Sequence, residues 1–180
     1  GAAPINHAIF NKDPYTGVTI IKMSEELDAG PILRQEKVML DHTETFGSLH
    51  QVLSELGAKN LLKTIYNVEA NENILQNERF VSYAPKIKKS DTKLDFNSQA
   101  SALEARIRGL APTPGAWFEY KKERFKVFSA EVVEGNGKAG SIINENLTIA
   151  CGKKALNILE IQRQGKDVMS VSDLLRGCLL

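Results

Sequence analysis

Residues 17–32 read Gly17-Val18-Thr19-Ile20-Ile21-Lys22-Met23-Ser24-Glu25-Glu26-Leu27-Asp28-Ala29-Gly30-Pro31-Ile32, a β-branched run followed by an acidic loop and a turn. The run predicts a strand over Val18–Met23, which places Asp28 just beyond the carboxyl end of that strand. In open α/β sheets this edge is where ligands bind. The stretch therefore predicts an α/β fold with a carboxylate at its binding edge.

The residues on either side of this stretch predict a second strand and two helices. Pro4–Phe10 is typical of a helix, Asp13–Gly17 of a turn and Ile32–Leu40 of a strand. Apolar residues from Leu49 to Tyr66 recur at helical spacing and predict an amphipathic helix. We expect that helix to break at Gly57, because glycine weakens a helix interior.

The second half of the chain has a different pattern, beyond a polar stretch from Glu69 to Glu78 that is typical of an exposed linker. Asn97-Ser98 offers an N-cap for a helix that Pro112 and Pro114 end. Short strands are predicted at Ala116–Tyr120, Arg124–Val133, Gly140–Ile143, Leu147–Ala150 and Ala155–Gln162, and Ser170 with Asp173 predicts a final helix. Strands at this spacing favour a small barrel or sandwich.

The composition is that of a globular protein: 180 residues with 42% hydrophobic content. No apolar run approaches the roughly 20 residues that span a bilayer, and the first residues do not form a signal peptide. Both features favour the cytosol, although a missing amino-terminal segment would also hide a signal. Cys151 and Cys178 lack the spacing of a metal site, and we expect both to be reduced.

The charge is divided unequally between the halves. Residues 1–85 carry 7 Lys and Arg against 11 Asp and Glu, a net charge of −4, whereas residues 86–180 carry 16 against 11, a net charge of +5. Such asymmetry indicates either a polyanionic partner of the second half or two unrelated solvated surfaces. The candidate contacts to a polyanion are Lys86, Lys88, Lys89, Arg106, Arg108, Lys121, Lys122, Arg124 and Lys126.

Several short motifs, taken together and in order, resemble the methionyl-tRNA formyltransferase family. In the first half they are Gly1-Ala2-Ala3-Pro4-Ile5, Thr16-Gly17-Val18-Thr19-Ile20, Leu27-Asp28-Ala29-Gly30 and Gly47-Ser48-Leu49-His50. In the second half they are Tyr83-Ala84-Pro85-Lys86-Ile87, Arg106-Ile107-Arg108, Pro112-Thr113-Pro114-Gly115-Ala116-Trp117, Gly165-Lys166-Asp167-Val168-Met169 and Asp173-Leu174-Leu175-Arg176-Gly177. The resemblance extends over essentially the whole chain.

The resemblance implies a two-domain organisation. Residues 1–70 would be the carboxyl-terminal part of a Rossmann-like formyltransferase catalytic domain, 71–88 a linker, and 89–180 an OB-like β-barrel that binds tRNA. The implied reaction transfers a formyl group from 10-formyltetrahydrofolate to the amino group of methionyl initiator tRNA. No metal and no membrane are involved, and the expected state is a cytoplasmic monomer.

Asp28 is the catalytic residue that the resemblance implies. The family also uses an Asn-x-His pair that precedes the Gly-Ala-Ala-Pro-Ile motif, so the chain as given is expected to be inactive. An Asp with an ordinary pKa of about 3.9 is a poor base for an amine and needs a water or a histidine to relay protons. The alternative is that Asp28 only forms a turn ahead of Ala29-Gly30.

The loop around Asp28 has two possible interpretations, a folate-binding segment or a site for a cation. The loop Glu25, Glu26, Leu27, Asp28, Ala29 and Gly30 is the candidate folate-binding segment, with backbone atoms facing the pterin ring. Carboxylates suit hard cations, but consecutive loop residues rarely converge on one ion.

The three histidines, His7, His42 and His50, are expected to be structural. We expect His50 to be partly buried beside the apolar stripe that begins at Leu49.

Two rival functions remain open at this point. The first is another formyltransferase of the same superfamily, acting on a sugar amine, or a formyltetrahydrofolate dehydrogenase. Such an enzyme would share the Leu-Asp-Ala-Gly loop but not the segment Gly165–Met169. The second is a non-catalytic RNA-binding fragment, which an upstream Asn-x-His in the parent gene would argue against.

Overall fold

The first half of the chain folds as two helices packed on a β-hairpin in this computed structural model, which describes residues 1–67 and 72–177. Its elements are α1 (Pro4–Asn11), β1 (Tyr15–Ile21), β2 (Ile32–Met39) and α2 (Phe46–Tyr66). The predicted α/β character is confirmed. The two strands are antiparallel, so the described residues contain no parallel strand pair of a Rossmann-like sheet.

The hairpin begins earlier than the sequence pattern predicts. Tyr15, Thr16 and Gly17 pair with residues 37–39 of β2 instead of forming a turn. Gly17 is required in this position because a Cβ there would lie 2.3 Å from the carbonyl oxygen of Glu36. The glycine that suggested a turn therefore marks a close approach of two strands.

Helix α2 runs without interruption through Gly57, so the predicted break is wrong. Thr45 caps its first turn, accepting a hydrogen bond from the backbone N–H of Ser48 at 3.2 Å. A Cβ at Gly57 would meet only a methyl group of Val18, at 3.9 Å. Burial of Leu49 and the neighbouring stripe against the hairpin offsets the cost of about 1 kcal/mol for a glycine in a helix.

The segment between the halves is exposed but follows the surface of the first half. Residues 68–71 of the predicted linker lie outside the described residues. Ile74 forms an antiparallel bridge with Ile32, with N–H to O distances of 2.7 and 3.0 Å. Ala84 accepts a hydrogen bond from the N–H of Ala3 at 3.2 Å. Residues 74–84 are therefore docked on the hairpin and α1, and the domain boundaries stay a prediction.

The second half is a curved five-stranded antiparallel sheet, with one helix before its first strand and one helix after its last strand in the sequence. Its elements are α3 (Ala100–Leu110), β3 (Ala116–Tyr120), β4 (Glu123–Val133), β5 (Thr148–Ala150), β6 (Ala155–Arg163), β7 (Val168–Ser170) and α4 (Val171–Gly177). The strand order is β3-β4-β6-β5, and β7 pairs with β6. The ladder does not close within the described residues, so the OB-like barrel stays a prediction.

Two local predictions in this half differ from the structure, and one strand was not predicted. Asn97 does not cap α3, because its side-chain amide binds the Asp95 carboxylate at 2.8 Å and the helix begins after Gln99. The predicted strand at 140–143 is reduced to a bridge between Ile142 and Ile149. Strand β7 was not predicted. The capping role of Ser170 is confirmed, since its hydroxyl accepts from the N–H of Asp173 at 3.1 Å.

The large core of the molecule lies between α3 and the sheet of the second half. It contains fully buried residues such as Ile107, Phe125, Leu156 and Ile161. Cys151 lies at its margin as a free, buried thiol whose pKa is raised by burial. Cys178 lies outside the described residues.

Candidate functional site

The Asp28 loop, residues 22–31, connects β1 to β2 and has a closed neck. The backbone N–H of Lys22 donates to the Pro31 carbonyl at 2.9 Å. Gly30 is required there because a Cβ would lie 1.7 Å from the Lys22 carbonyl oxygen. Asp28 itself has a left-handed backbone with φ of +58°, and its side chain is 81% exposed. The loop thus presents a carboxylate to solvent from a tightly specified backbone.

A cavity of about 570 Å³ lies beside this carboxylate. The residues that line it are Gly1, Leu27, Asp28, Ile32, Gln35, Gln76, Asn77, Phe80, Val81, Ser82 and Tyr83. The nitrogen of Gly1 is 3.5 Å from an Asp28 carboxylate oxygen. Phe80 and Tyr83 are more than 80% exposed, so the lining of the cavity offers aromatic surface to a ligand. This size and mixed lining suit a small organic molecule.

The loop is bound from outside by the segment between the halves. Gln76 Nε2 donates to the carbonyl oxygens of Asp28 and Gly30, both at 2.7 Å. Sequence analysis missed Gln76, because it lies 48 residues from Asp28 in a stretch that resembles a solvated linker.

Apart from the buried Gly30, the other residues of the candidate folate-binding segment are exposed. Glu25, Glu26 and Ala29 face solvent, and Leu27 is 95% exposed. The Ser24 hydroxyl donates to the Glu26 carbonyl at 3.0 Å, which fixes the start of the loop. Across the described parts of the chain, no three side chains of His, Cys, Asp or Glu come together as ligands for a metal ion.

The three histidines lie in other surroundings. His7, on α1, has its Nε2 donating to the Pro85 carbonyl at 3.2 Å, and this bond helps dock the connecting segment. His42 occupies a turn with φ of +68°. His50 packs beside the Phe46 ring at 5.7 Å between ring centres but is exposed, so its predicted partial burial is wrong.

The candidate basic residues fall into separate groups in the structure. Lys86, Lys88 and Lys89 are exposed at the start of the second half. The backbone N–H of Lys88 donates to the Asp91 carboxylate at 2.8 Å, which lowers the pKa of that carboxyl. The hydrogen bond to Asp91 holds the backbone of this short turn, while the lysine side chains stay exposed to solvent.

Arg106 and Arg108 are turned towards the protein. Arg106 Nε donates to the Asp91 carbonyl at 2.8 Å and its guanidinium lies 5.0 Å from the centre of the Phe10 ring. Arg108 Nη1 donates to the Glu44 carbonyl at 2.9 Å, and Nη2 to a Glu104 carboxylate oxygen at 3.2 Å. Both arginines therefore brace the second half against the first, and the structure separates them from the exposed lysines.

A second basic surface surrounds Trp117, and we call it the Trp117 face. The Arg124 guanidinium lies 4.2 Å and the Lys93 ammonium 5.2 Å from the Trp117 ring centre. Lys126 lies opposite Trp117 in the β3–β4 ladder. The indole N–H donates to the Thr92 hydroxyl at 3.0 Å, which fixes the ring.

The β3–β4 turn extends this surface. Lys121 and Lys122 form the turn with left-handed backbones, φ of +48° and +67°. Lys121 lies 5.1 Å from the centre of the Tyr120 ring. Sequence analysis missed Trp117 and Lys93 as site residues, although an aromatic alternating with cations on paired strands was a usable signal.

Two protein-family models match the chain, one in each half. The model of the family "Formyl transferase, C-terminal domain" matches residues 86–179, and the model "Formyl transferase" matches residues 1–65. The chain belongs to the formyl transferase family.

Its sequence relatives carry a more particular name. The chain is 41% identical over 183 residues to methionyl-tRNA formyltransferase of Sinorhizobium medicae, covering 98% of this chain and 59% of that protein. It therefore spans about three fifths of the length of the curated relatives it matches.

Two solved structures are similar in fold. HypX from Aquifex aeolicus in complex with tetrahydrofolic acid gives a TM-score of 0.72 at 19% identity, covering 97% of this chain and 32% of that one. Methionyl-tRNA formyltransferase from Clostridium thermocellum gives a TM-score of 0.59 at 17% identity, covering 88% of this chain and 63% of that one.

Within residues 1–67 and 72–177, none of the helices combines the length and apolar character that a bilayer crossing requires.

Proposed function

We propose that this chain takes part in the transfer of a formyl group from 10-formyltetrahydrofolate to the amino group of methionyl initiator tRNA. The observation that carries the proposal is Asp28, held on a left-handed, glycine-closed loop with its carboxylate exposed beside a 570 Å³ cavity. The 41% identity to a named methionyl-tRNA formyltransferase supports the choice of substrate. We further propose that the enzyme is cytoplasmic and monomeric.

The chemistry sets what Asp28 has to do. An amine that attacks a formyl carbonyl must lose a proton, the oxyanion of the tetrahedral intermediate must be stabilised, and the departing folate nitrogen must gain a proton. An exposed carboxylate can accept the ammonium proton through a water or orient a histidine that does so. Asp28 is suited to hold and move that proton but supplies no donor for the oxyanion.

The missing donors would come from the Asn-x-His pair that the family resemblance implies before Gly1. The chain without that pair is expected to show no turnover.

The formyl donor would occupy the cavity beside the loop. We assign the loop of residues 25–30 to the pterin ring, because Leu27 and Asp28 of this loop line the cavity and the family resemblance implies a folate contact there. Leu27 and the exposed Phe80 would cover its faces. No metal is part of this proposal.

The tRNA would contact the second half, in which we propose an OB-like barrel. Exposed lysines and arginines neutralise phosphates, and an aromatic ring among them can stack on an unpaired base. We assign the phosphate contacts to Lys86, Lys88 and Lys89 and to the Trp117 face with its turn, Lys121, Lys122, Arg124 and Lys126. For Arg106 and Arg108 we propose the bracing role that their protein contacts support.

The test uses what we call the completed chain: this chain joined behind the segment that precedes the matched region in the Sinorhizobium medicae relative. We expect it to formylate methionyl-tRNA from 10-formyltetrahydrofolate, whereas the 180-residue chain alone does not. A nucleotide-linked amino sugar is the competing acceptor. Preference for the sugar, or full turnover by the chain alone, would contradict the proposal.

A further inference from the structure

The side chain of Gln76 uses its whole donor capacity on one loop. A primary amide has two N–H donors, and Nε2 of Gln76 contacts two carbonyl oxygens, those of Asp28 and Gly30, at 2.7 Å each. The backbone that carries Gln76 is fixed two residues earlier by the Ile74–Ile32 bridge. The amide thus connects the far end of the Asp28 loop to the edge of β2.

Asp28 needs an external support of this kind. A left-handed backbone at a residue other than glycine costs about 1 to 3 kcal/mol and persists only where its surroundings impose it. Because the Asp28 side chain is 81% exposed, packing does not set the direction of its carboxylate. That direction depends on the Asp28 backbone. Gln76 binds the carbonyl oxygen of Asp28 itself and the carbonyl oxygen of Gly30, two residues later.

We infer that Gln76 is a positioning residue, which holds the Asp28 backbone in the left-handed conformation that sets the direction of the carboxylate beside the cavity. Its effect on rate rests on the proposed catalytic role of Asp28. A displacement of about 1 Å at a reacting group can cost about 10²-fold in rate. The segment between the halves is therefore part of the catalytic geometry and not only a connection.

The first experiment measures turnover in the completed chain. Gln76→Ala removes the amide, and Gln76→Glu keeps its shape but replaces the nitrogen that carries both N–H donors with a carboxylate oxygen, which only accepts. We expect both to lower kcat by about 10², with KM for methionyl-tRNA changed less than about threefold because the RNA contacts lie elsewhere. Gln51→Ala is the matched control, since Gln51 is exposed on α2 and bonds only to Glu55.

A double-variant cycle separates positioning from a general structural effect. In the Asp28→Asn background we expect Gln76→Ala to lower kcat by less than about threefold, because no catalytic carboxylate is left to position. An equal loss in both backgrounds would overturn the inference. The inference would also be overturned if Gln76→Ala turned over as fast as Gln51→Ala while Asp28→Asn was impaired. That outcome would leave the proposed function intact.

The second experiment does not depend on activity. Hydrogen exchange of this chain should show faster exchange of the amides in residues 22–31 in Gln76→Ala, and no change there in Gln51→Ala. Unchanged exchange in Gln76→Ala would overturn the clamp itself. Full turnover of Asp28→Asn would instead contradict the proposed function.

Discussion

The two halves of this chain differ in what holds them in shape. The second half has a closed core of seventeen buried residues between α3 and its sheet. Among the described residues of the first half, the hydrophobic cluster is small, consisting of Ile9, Leu40, Leu49 and Leu53, and large apolar residues along α2, among them Leu61 and Ile65, are exposed. Within the described residues, the half with the candidate catalytic loop therefore has the smaller hydrophobic cluster.

Those outside contacts come from the rest of the chain. Asn6 donates to the Gly109 carbonyl at 2.6 Å in a buried hydrogen bond between α1 and α3, and the backbone N–H of Gly47 donates to Ala111 at 3.0 Å. Gln76 holds the Asp28 loop. The second half and the connecting segment thus both hold the half that carries the candidate loop.

The largest expected effect comes from breaking the larger core. Phe125→Ala, at a residue only 1% exposed, should lower the free energy of unfolding by about 3 to 5 kcal/mol. Leu53→Ala in the small cluster should cost about 2 kcal/mol, because an open site relaxes around the cavity. Denaturant unfolding of both variants measures this. A larger loss for Leu53→Ala would invert the comparison.

The next effect concerns RNA binding by the second half. Changing Lys86, Lys88 and Lys89 to alanine in the completed chain should weaken tRNA binding and reduce the slope of log affinity against log salt by about 2 to 3. The matched control changes the exposed first-half residues Lys12, Lys59 and Lys63. Equal effects of the two triple variants would mean that net charge, rather than a located surface, attracts the RNA.

The contact between the halves should show a smaller effect. A Cβ at Gly109 would lie 2.5 Å from the Phe10 ring and 3.3 Å from the Asn6 carbonyl oxygen. Gly109→Ala overpacks this contact at about 1 to 3 kcal/mol, partly offset by about 1 kcal/mol of helix propensity. Thermal unfolding should show a net loss, whereas Gly177→Ala, with open space around it, should show none. A stabilised Gly109→Ala would mean that the helices separate freely.

The smallest effect is a pH dependence in the sheet. Arg163 donates to both Glu123 carboxylate oxygens, at 2.7 and 3.0 Å, and this lowers the pKa of Glu123. The carboxylate therefore stabilises the fold above its unfolded pKa of about 4.3, and this contribution is lost as pH falls through the lower folded value. Glu123→Gln should flatten the stability profile in that acidic window, and the exposed Glu145→Gln should not. Parallel profiles for wild type and Glu123→Gln would contradict the assignment.

Sequence patterns were sufficient where structure depends on near neighbours. The spacing of Leu49 and Leu53 predicted α2, and the β-branched run predicted β1, because period and propensity are local properties. Gly57 misled, since burial of Leu49 and Leu53 against the hairpin offsets the cost of a glycine in the helix. Gln76 could not be found, because its partners are fixed by a bridge between Ile74 and Ile32 that no local pattern encodes.

Charge counting had the same limit in the candidate RNA surface. It grouped Arg106 and Arg108 with the exposed lysines, although both arginines bind protein carbonyls. It also left out Trp117, whose ring lies between Lys93 and Arg124. Composition predicts the sign of a surface, whereas contacts decide which charges remain available to a ligand.

The most direct test of the account measures rate and affinity separately in the completed chain. Under single turnover at saturating methionyl-tRNA, Asp28→Asn should lower the rate by about 10² to 10⁴ and leave the tRNA Kd within about twofold. The triple change of Lys86, Lys88 and Lys89 to alanine should do the reverse, raising Kd while the saturated rate stays within about twofold. Loss of both rate and affinity in either variant would contradict the division of chemistry and RNA binding between the two halves.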